Sequence, residues 1–111
     1  MDKTVPTHWV RVYMSGPIEI AKQVLRRHVL HEGLCVTVEP TLFIYTGGEE
    51  TGYVVGLVHY EHFPCTQSTL WDRARVMAEQ LLEETHQLSA LVMSPADTLW
   101  ITRRHTTQRA T

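Results

Sequence analysis

The stretch Leu34–Phe63, LCVTVEPTLFIYTGGEETGYVVGLVHYEHF, contains the densest run of strand-forming residues and the only Gly-Gly pair in the chain. Apolar and polar residues alternate from Leu34 to Glu39, the period of two that is typical of a strand with one face toward a core. Pro40 has no N–H to give to a neighbouring strand, so it predicts the end of this strand, an edge or a bulge. This stretch therefore decides the fold by predicting paired strands rather than a helix.

The remainder of the stretch predicts a hairpin. The run Leu42–Tyr45 is apolar on both sides, which is typical of a strand covered on both faces. The segment Thr46–Gly52 predicts a loop longer than two residues, because its glycines adopt positive φ without steric cost and its two glutamates keep the tip in water. The return strand is predicted over Tyr53–Tyr60. Its Gly56 is expected opposite the start of the Leu42–Tyr45 run, where a bulge or a close approach would need glycine.

The segments outside the hairpin predict two amphipathic helices and further strands. Apolar residues recur at helical spacing in both helices, and Pro17 suits the first position of the first one. Two helices with one apolar stripe each can cover one face of an antiparallel sheet. The order β-α-β-β-β-α-β-β therefore predicts an α+β fold, a two-layer sandwich with both helices on one face of a mainly antiparallel sheet. The helices are expected at Pro17–His31 and Leu70–Gln87, and the outer strands at His8–Met14, Ala90–Met93 and Thr98–Arg103.

Length and composition bound the class of protein. A chain of 111 residues, 43% hydrophobic and 20% charged, is typical of one globular domain, here residues 1–111 with flexible tails at 1–7 and 104–111. A net charge of −2 argues against a nucleic-acid partner. No apolar run approaches the roughly 18 residues that cross a bilayer, so no membrane partner is expected. Without a signal peptide, we expect a cytoplasmic protein with two free thiols, at Cys35 and Cys65.

The open face of the predicted sheet favours self-association. The hairpin strands are apolar on both sides, while the helices can cover only one side. An uncovered apolar face is removed from water when subunits associate. We therefore predict a homo-oligomer, with a contact face or pocket built from Phe43, Tyr45, Tyr53 and Trp100.

The segment after the hairpin contains four possible metal ligands. On a strand, His59 and Glu61 point the same way, whereas His62 points to the opposite side. Zinc needs three or four ligands in a tetrahedral array, and this spacing matches no standard site. We predict no metal and no other cofactor, and a histidine pair at a strand end. The alternative metal ligands are His59, Glu61, His62 and Cys65.

The short motif Val12–Ile18, VYMSGPI, is the clearest candidate for ligand binding. A strand runs into Ser-Gly-Pro and then into a helix, whose first N–H groups can bind an anion. Ser15 and Gly16 are therefore candidate ligand-binding residues, and an ordinary β-to-α turn is the alternative. Phosphate groups could also meet three arginines, unless these are only solvated surface: Arg11, Arg103 and Arg104, the last two in a basic tail with His105 and Arg109.

This motif resembles the opening of nucleoside 2-deoxyribosyltransferases. The resemblance covers only Val12–Ile18, and it implies a protein directed at nucleotides. Those enzymes continue as a doubly wound parallel fold, whereas a hairpin follows here, so no catalytic glutamate is carried over from them.

The longer stretch Gly33–Pro64, GLCVTVEPTLFIYTGGEETGYVVGLVHYEHFP, lies between the two helices and resembles small uncharacterised proteins encoded by bacteriophages and prophages. The resemblance extends from Trp9 to about Trp100, and it implies a mobile-element accessory protein without a known activity. No nucleophile elbow is present, and neither cysteine begins a helix. We predict a non-enzymatic accessory protein that binds a host protein or a small ligand as a homo-oligomer. The alternative is a nucleotide-directed binder or enzyme that uses the turn Ser15–Pro17.

Overall fold

A computed structural model describes residues 2–104, and in this part of the chain five strands and two helices form. Residues 2–7 have no regular secondary structure, and all of the predicted C-terminal tail except Arg104 lies outside the described residues. Neither of the two helices has the length and apolar composition that a bilayer crossing requires. The elements are β1 (Trp9–Ser15), α1 (Ile18–Leu30), β2 (Val36–Tyr45), β3 (Gly48–Val58), α2 (Gln67–Thr85), β4 (Ser89–Met93) and β5 (Thr98–Thr102).

The strands form one sheet in the order β2-β3-β1-β4-β5, and every neighbouring pair is antiparallel. The strand β1 lies at the centre, where Val12 pairs with Val55 of β3 and with Val92 of β4. The first four strands and both helices have the split β-α-β arrangement of ferredoxin-like folds, and β5 extends the sheet beside β4. The predicted α+β sandwich on an antiparallel sheet is confirmed.

One core lies between the helices and one face of the sheet. In β1, Val10, Val12 and Met14 are buried, whereas Arg11 between them is exposed. Burying a side chain of the size of valine or leucine stabilises a fold by about 1.5–3 kcal/mol. This alternation therefore fixes which face of the sheet meets the helices. The helices bury Ala21, Val24 and Leu25 of α1, and Leu70, Ala74, Met77, Ala78, Leu81 and Leu82 of α2.

Pro40 does not end a strand, as one interpretation of the sequence had it. The strand β2 continues through Pro40 for 10 residues, so one long strand stands where two were predicted. It is the edge strand of the sheet, and an edge strand tolerates proline because an outward nitrogen has no neighbour to bond. The element order is therefore β-α-β-β-α-β-β.

The turn of the hairpin is also shorter than predicted. Tyr45 pairs with Gly48, so only two residues, Thr46 and Gly47, connect β2 to β3. Gly47 has φ of 100°, which a residue with a side chain rarely adopts. The segment expected to be a loop tip therefore belongs mostly to β3, and the short turn sets the register of the whole hairpin.

This register gives Gly56 and the two glutamates other neighbours than the sequence predicted. Gly56 pairs with Thr37 of β2 and Arg11 of β1, and not with the apolar run Leu42–Tyr45. Glu49 pairs with Ile44, so the two glutamates of the predicted loop tip become strand residues on opposite faces of the sheet.

The second face of the sheet, called here the open face, carries aromatic side chains. Tyr45 and Trp100 are 52% and 57% exposed, and Tyr13 and Phe43 are half-buried on the same face. On the helix side of the hairpin end, Ile44 is 75% exposed, because the end of the hairpin extends past the buried core. The hairpin end is therefore apolar on both faces.

Candidate functional site

A cavity of about 260 Å³ lies on the open face and receives side chains from all five strands. Four of its ten lining residues are aromatic, and the wall also contains one carboxylate and the hydroxyl groups of two serines and two tyrosines. Because β1 is central and antiparallel to both neighbours, its C-terminal end lies beside the beginning of β4 on one side and beside the first half of β3 on the other. This aromatic cavity is lined by Tyr13, Met14, Ser15, Phe43, Tyr45, Glu50, Ser89, Ala90, Leu91 and Trp100.

Gly52 makes room for one aromatic wall of this cavity. A Cβ at Gly52 would lie 2.6 Å from Cε2 of Phe43 and 2.9 Å from Cα of Ser15, and it would collide with the carbonyl oxygen of Met14. These contacts are shorter than side-chain atoms allow. Glycine at this position therefore lets the ring of Phe43 lie directly against the backbone of β3.

Glu50 supplies the carboxylate of the aromatic cavity. The Ser15 hydroxyl donates a hydrogen bond of 2.8 Å to Oε1 of Glu50, which fixes one carboxylate oxygen at the end of β1. Across β2 and β3, Glu50 pairs with Phe43, so the charge lies beside an aromatic ring. The sequence predicted Ser15 but placed Glu50 in a solvated loop tip. Glu50 and Gly52 are two residues apart, so on a strand they share one face. This spacing was the signal that could have identified Glu50 as a residue of the open face.

A second cavity, of about 200 Å³, adjoins the aromatic cavity. Ser15, Glu50 and Ser89 belong to the walls of both cavities, so Glu50 lies where the two meet. The remaining wall comes from the segment after α2, where His86 has φ of 56° and ends the helix, and from the second residue after β5. This polar cavity is completed by His86, Gln87, Leu88 and Arg104.

Of the five predicted ligand-binding residues, the structure brings Ser15 and Arg104 together in the polar cavity. The N–H of Gly16 donates to the carbonyl oxygen of Thr51 at 3.2 Å, so it serves the fold. The two other arginines lie elsewhere: Arg11 has its guanidinium 4.9 Å from the ring centroid of Trp9, and Arg103 forms an ion pair of 3.5 Å with Glu79.

Tyr53 cannot belong to a contact face with the other predicted aromatics. It is fully buried on the helix side, and its hydroxyl donates toward the sulfur of Met14 at 3.7 Å. Burial raises the pKa of Tyr53 to about 12, against an opposing hydrogen bond with Thr85. The register pairs it with Pro40 and Met14, whose side chains also face the helices, so Phe43, Tyr45 and Trp100 line the open face without it.

The predicted histidine segment forms a small polar cluster. The two ring nitrogens of His59 contact the backbone carbonyl of Cys65 at 3.0 Å and a carboxylate oxygen of Glu61 at 3.1 Å. Cys65 thus contributes its backbone rather than its sulfur, and the ring of His62 packs against Tyr60 instead. Among residues 2–104, no group of three or more histidine, cysteine, aspartate or glutamate side chains is placed to hold a metal.

The pKa of His59 is expected to be raised above 6.5, because the Cys65 carbonyl and then Glu61 stabilise the protonated ring. A raised pKa in the folded state means that this contribution to stability is full below pH 6.5 and is lost as pH rises through the folded pKa. Glu61→Gln removes the second partner and should lower the pKa of His59, as measured by NMR titration of the ring protons. A wild-type His59 that titrates at or below 6.5 would contradict this assignment.

No protein-family model matches the chain, and no curated protein matches it in sequence. Two solved structures that share its fold are bacteriophage enzymes. One is a phage SAM lyase in its apo state, with a TM-score of 0.64 and 14% identity over 95% of this chain and 97% of that chain. Another is a phage SAM lyase in complex with S-methyl-5'-thioadenosine, with a TM-score of 0.56 and 12% identity over 92% of this chain and 95% of that chain.

This likeness corrects the functional prediction. The fold is shared along nearly the full chain with enzymes, so the prediction of a non-enzymatic accessory protein was wrong. The alternative, a nucleotide-directed enzyme that uses the turn at Ser15, agrees better with these neighbours. Their phage origin agrees with the predicted resemblance to phage-encoded proteins. The antiparallel sheet, in contrast, separates the chain from the doubly wound nucleoside 2-deoxyribosyltransferases.

Proposed function

We propose that this protein is an enzyme that binds S-adenosylmethionine in the aromatic cavity and breaks a carbon–sulfur bond of its sulfonium, releasing S-methyl-5'-thioadenosine. The observation that carries the proposal is the carboxylate of Glu50 in a cavity walled by Phe43, Tyr45 and Trp100. The shared fold with phage SAM lyases supports it, since one of those structures holds S-methyl-5'-thioadenosine.

The aromatic wall suits the adenosine end of this substrate. Adenine is flat and stacks on aromatic side chains, and such stacking contributes about 1–3 kcal/mol for a base on a protein ring. Tyr45 and Trp100 are more than half exposed, so their ring faces are accessible to a ligand. A sulfonium beside the same rings gains a further cation–π attraction of about 0.5–2 kcal/mol.

Glu50 suits the reacting centre. A carboxylate attracts the sulfonium, and the hydrogen bond from Ser15 holds it in one orientation before the substrate arrives. When the carbon–sulfur bond breaks, its electron pair leaves with sulfur, and positive charge shifts toward the carbon that sulfur leaves. That carbon forms its new bond with an oxygen of the substrate's own carboxylate, so the amino-acid chain leaves as a lactone. A fixed negative charge at this position stabilises that shift without reorganisation.

The test is the conversion of S-adenosylmethionine by the purified protein. S-methyl-5'-thioadenosine should accumulate in proportion to protein concentration, as measured by liquid chromatography with mass spectrometry. Heat-denatured protein is the control, because the substrate also decomposes slowly without an enzyme. If the native protein gives no product above this control at saturating substrate, the proposed activity is absent.

We also propose that the chain forms the predicted homo-oligomer through the apolar end of its hairpin. Leu42 and Ile44, which are 47% and 75% exposed, lie on the helix side of the hairpin end, on the face opposite the aromatic cavity. Association would remove this apolar surface from water.

We also propose a reducing cytoplasmic location for the protein. The two free thiols, Cys35 and Cys65, support this proposal.

The substitution Ile44→Lys should convert the oligomer to a smaller species, because a lysine at the hairpin end opposes burial of that surface. Light scattering coupled to size-exclusion chromatography measures the mass. The matched control is Leu30→Lys at the end of α1, where the leucine is 76% exposed and thus equally accessible. A wild-type protein that stays monomeric at high concentration would remove the proposed association.

A further inference from the structure

The polar cavity presents one arginine to whatever occupies the aromatic cavity. Arg104 follows β5, and its backbone N–H donates to Oγ1 of Thr102 at 3.1 Å. The preceding N–H, of Arg103, donates to the carbonyl oxygen of Leu88 at 2.6 Å. The Arg103–Leu88 bond ties the end of β5 to the segment after α2, and the Arg104–Thr102 bond holds the backbone of Arg104 close to the strand end. Arg104 and Gln87 both line the polar cavity.

The two neighbouring arginines have different surroundings. The guanidinium of Arg103 is 3.5 Å from the carboxylate of Glu79 on α2, so its charge is partly neutralised within the fold. Arg104 instead lines the polar cavity, in a wall that also contains Glu50. A ligand carboxylate in this cavity would be repelled by Glu50 and attracted by Arg104, so it would lie at the arginine end.

This order of groups matches the order of groups in an adenosyl sulfonium amino acid. The adenosine is at one end, the positive sulfur is in the middle, and the amino-acid carboxylate is at the other end. Along the two cavities the protein presents aromatic rings, then the Glu50 carboxylate at the shared wall, then Arg104. Charges of opposite sign therefore face each other at the sulfonium and at the carboxylate of the ligand.

We infer that Arg104 binds the α-carboxylate of the substrate and that the polar cavity is the subsite for the amino-acid end. This inference rests on the proposed function. The guanidinium can offer two parallel N–H donors to one carboxylate, which gives orientation as well as affinity. Arg104 is then a residue that selects substrates with a free amino-acid carboxylate over adenosine thioethers that lack one.

The experiment compares two stable ligands by isothermal titration calorimetry with the full chain. S-adenosylhomocysteine keeps the amino-acid end, and S-methyl-5'-thioadenosine lacks it, while both are neutral at sulfur and resist turnover. Arg104→Gln should lower the affinity for S-adenosylhomocysteine by about 10- to 100-fold, which is the range expected for the loss of a hydrogen bond to a charged group. It should leave S-methyl-5'-thioadenosine within about twofold of the wild type, and Arg104→Lys should recover part of the loss.

The control is Arg103→Gln, which removes the same charge from the adjacent residue. This variant should not weaken the binding of S-adenosylhomocysteine more than that of S-methyl-5'-thioadenosine. An equal effect of Arg104→Gln on both ligands, or no effect on either, would overturn the carboxylate subsite while the proposed reaction stands. If the wild-type protein binds neither ligand and also fails to cleave S-adenosylmethionine, the proposed function fails and the subsite falls with it. Thermal melts of the three variants confirm that each is folded before titration.

Discussion

Glu50→Gln is expected to lower the rate of S-methyl-5'-thioadenosine release by about 100-fold, which corresponds to roughly 2.7 kcal/mol of transition-state stabilisation. The amide has the shape of the carboxylate and can still accept the hydrogen bond from Ser15. What it lacks is the negative charge facing the sulfonium. The rate at saturating S-adenosylmethionine is the quantity to measure, since the lost attraction should raise KM as well.

Glu49→Gln is the matched control for this experiment. Glu49 is the adjacent residue in β3, it is also exposed, and it pairs with Ile44 on the opposite face of the sheet. The net charge of the protein changes by the same amount in both variants, and solvent screens an exposed charge on the far face. We expect Glu49→Gln to retain activity within about twofold of the wild type. Equal activity of the two variants would exclude Glu50 from the reaction.

Gly52→Ala is expected to lower the free energy of unfolding by about 3 kcal/mol, at the upper end of the cost of overpacking. The new methyl group meets the Met14 carbonyl oxygen and the Cα of Ser15, which are backbone atoms and cannot rotate away. It also displaces the Phe43 ring, 2.6 Å away, from the aromatic cavity. Chemical denaturation measures the loss, and affinity for S-methyl-5'-thioadenosine should fall in the same variant.

Gly56→Ala separates this steric effect from the general effect of adding a side chain to a strand. Gly56 also lies in β3, on the same face as Gly52. Its new methyl group would meet chiefly the hydroxyl of Thr37, which can rotate away, and the next atom is 3.8 Å distant. We expect a change of about 1 kcal/mol or less at Gly56, because alanine also restricts the unfolded chain. If both variants lose the same free energy of unfolding, the close contacts at Gly52 do not explain the loss.

The sequence was sufficient for the fold class because periodicity reports burial directly. The alternation in β1 and the apolar stripe of α2 were both visible before the structure, and each forms part of the one core. Pro40 was ambiguous for a physical reason, since proline is compatible with an edge strand and with a strand end. Only the position of β2 at the edge of the sheet decides between them.

The candidate site was less accessible to prediction, because it depends on register. A two-residue turn instead of a longer one turns the segment after Gly47 from a loop into a strand, and Glu50 then shares a face with Phe43. The same register places Tyr53 on the helix side. The proximity of Ser15 and Arg104, residues far apart in the chain, follows only from the strand order. Local pattern contains no information on such contacts.

The central position of β1 has a consequence for how the chain is made. Its two partners in the sheet, β3 and β4, both come later in the sequence, and the pairing with β4 involves residues as far along as Met93. During synthesis β1 therefore emerges before both of its partners, and it is among the last of the five described strands to be fully paired. The β2–β3 hairpin can close as soon as it leaves the ribosome, because its contacts are local. Until β4 follows, one edge of β1 stays available for wrong partners, and the nascent chain is most exposed to misfolding during that interval.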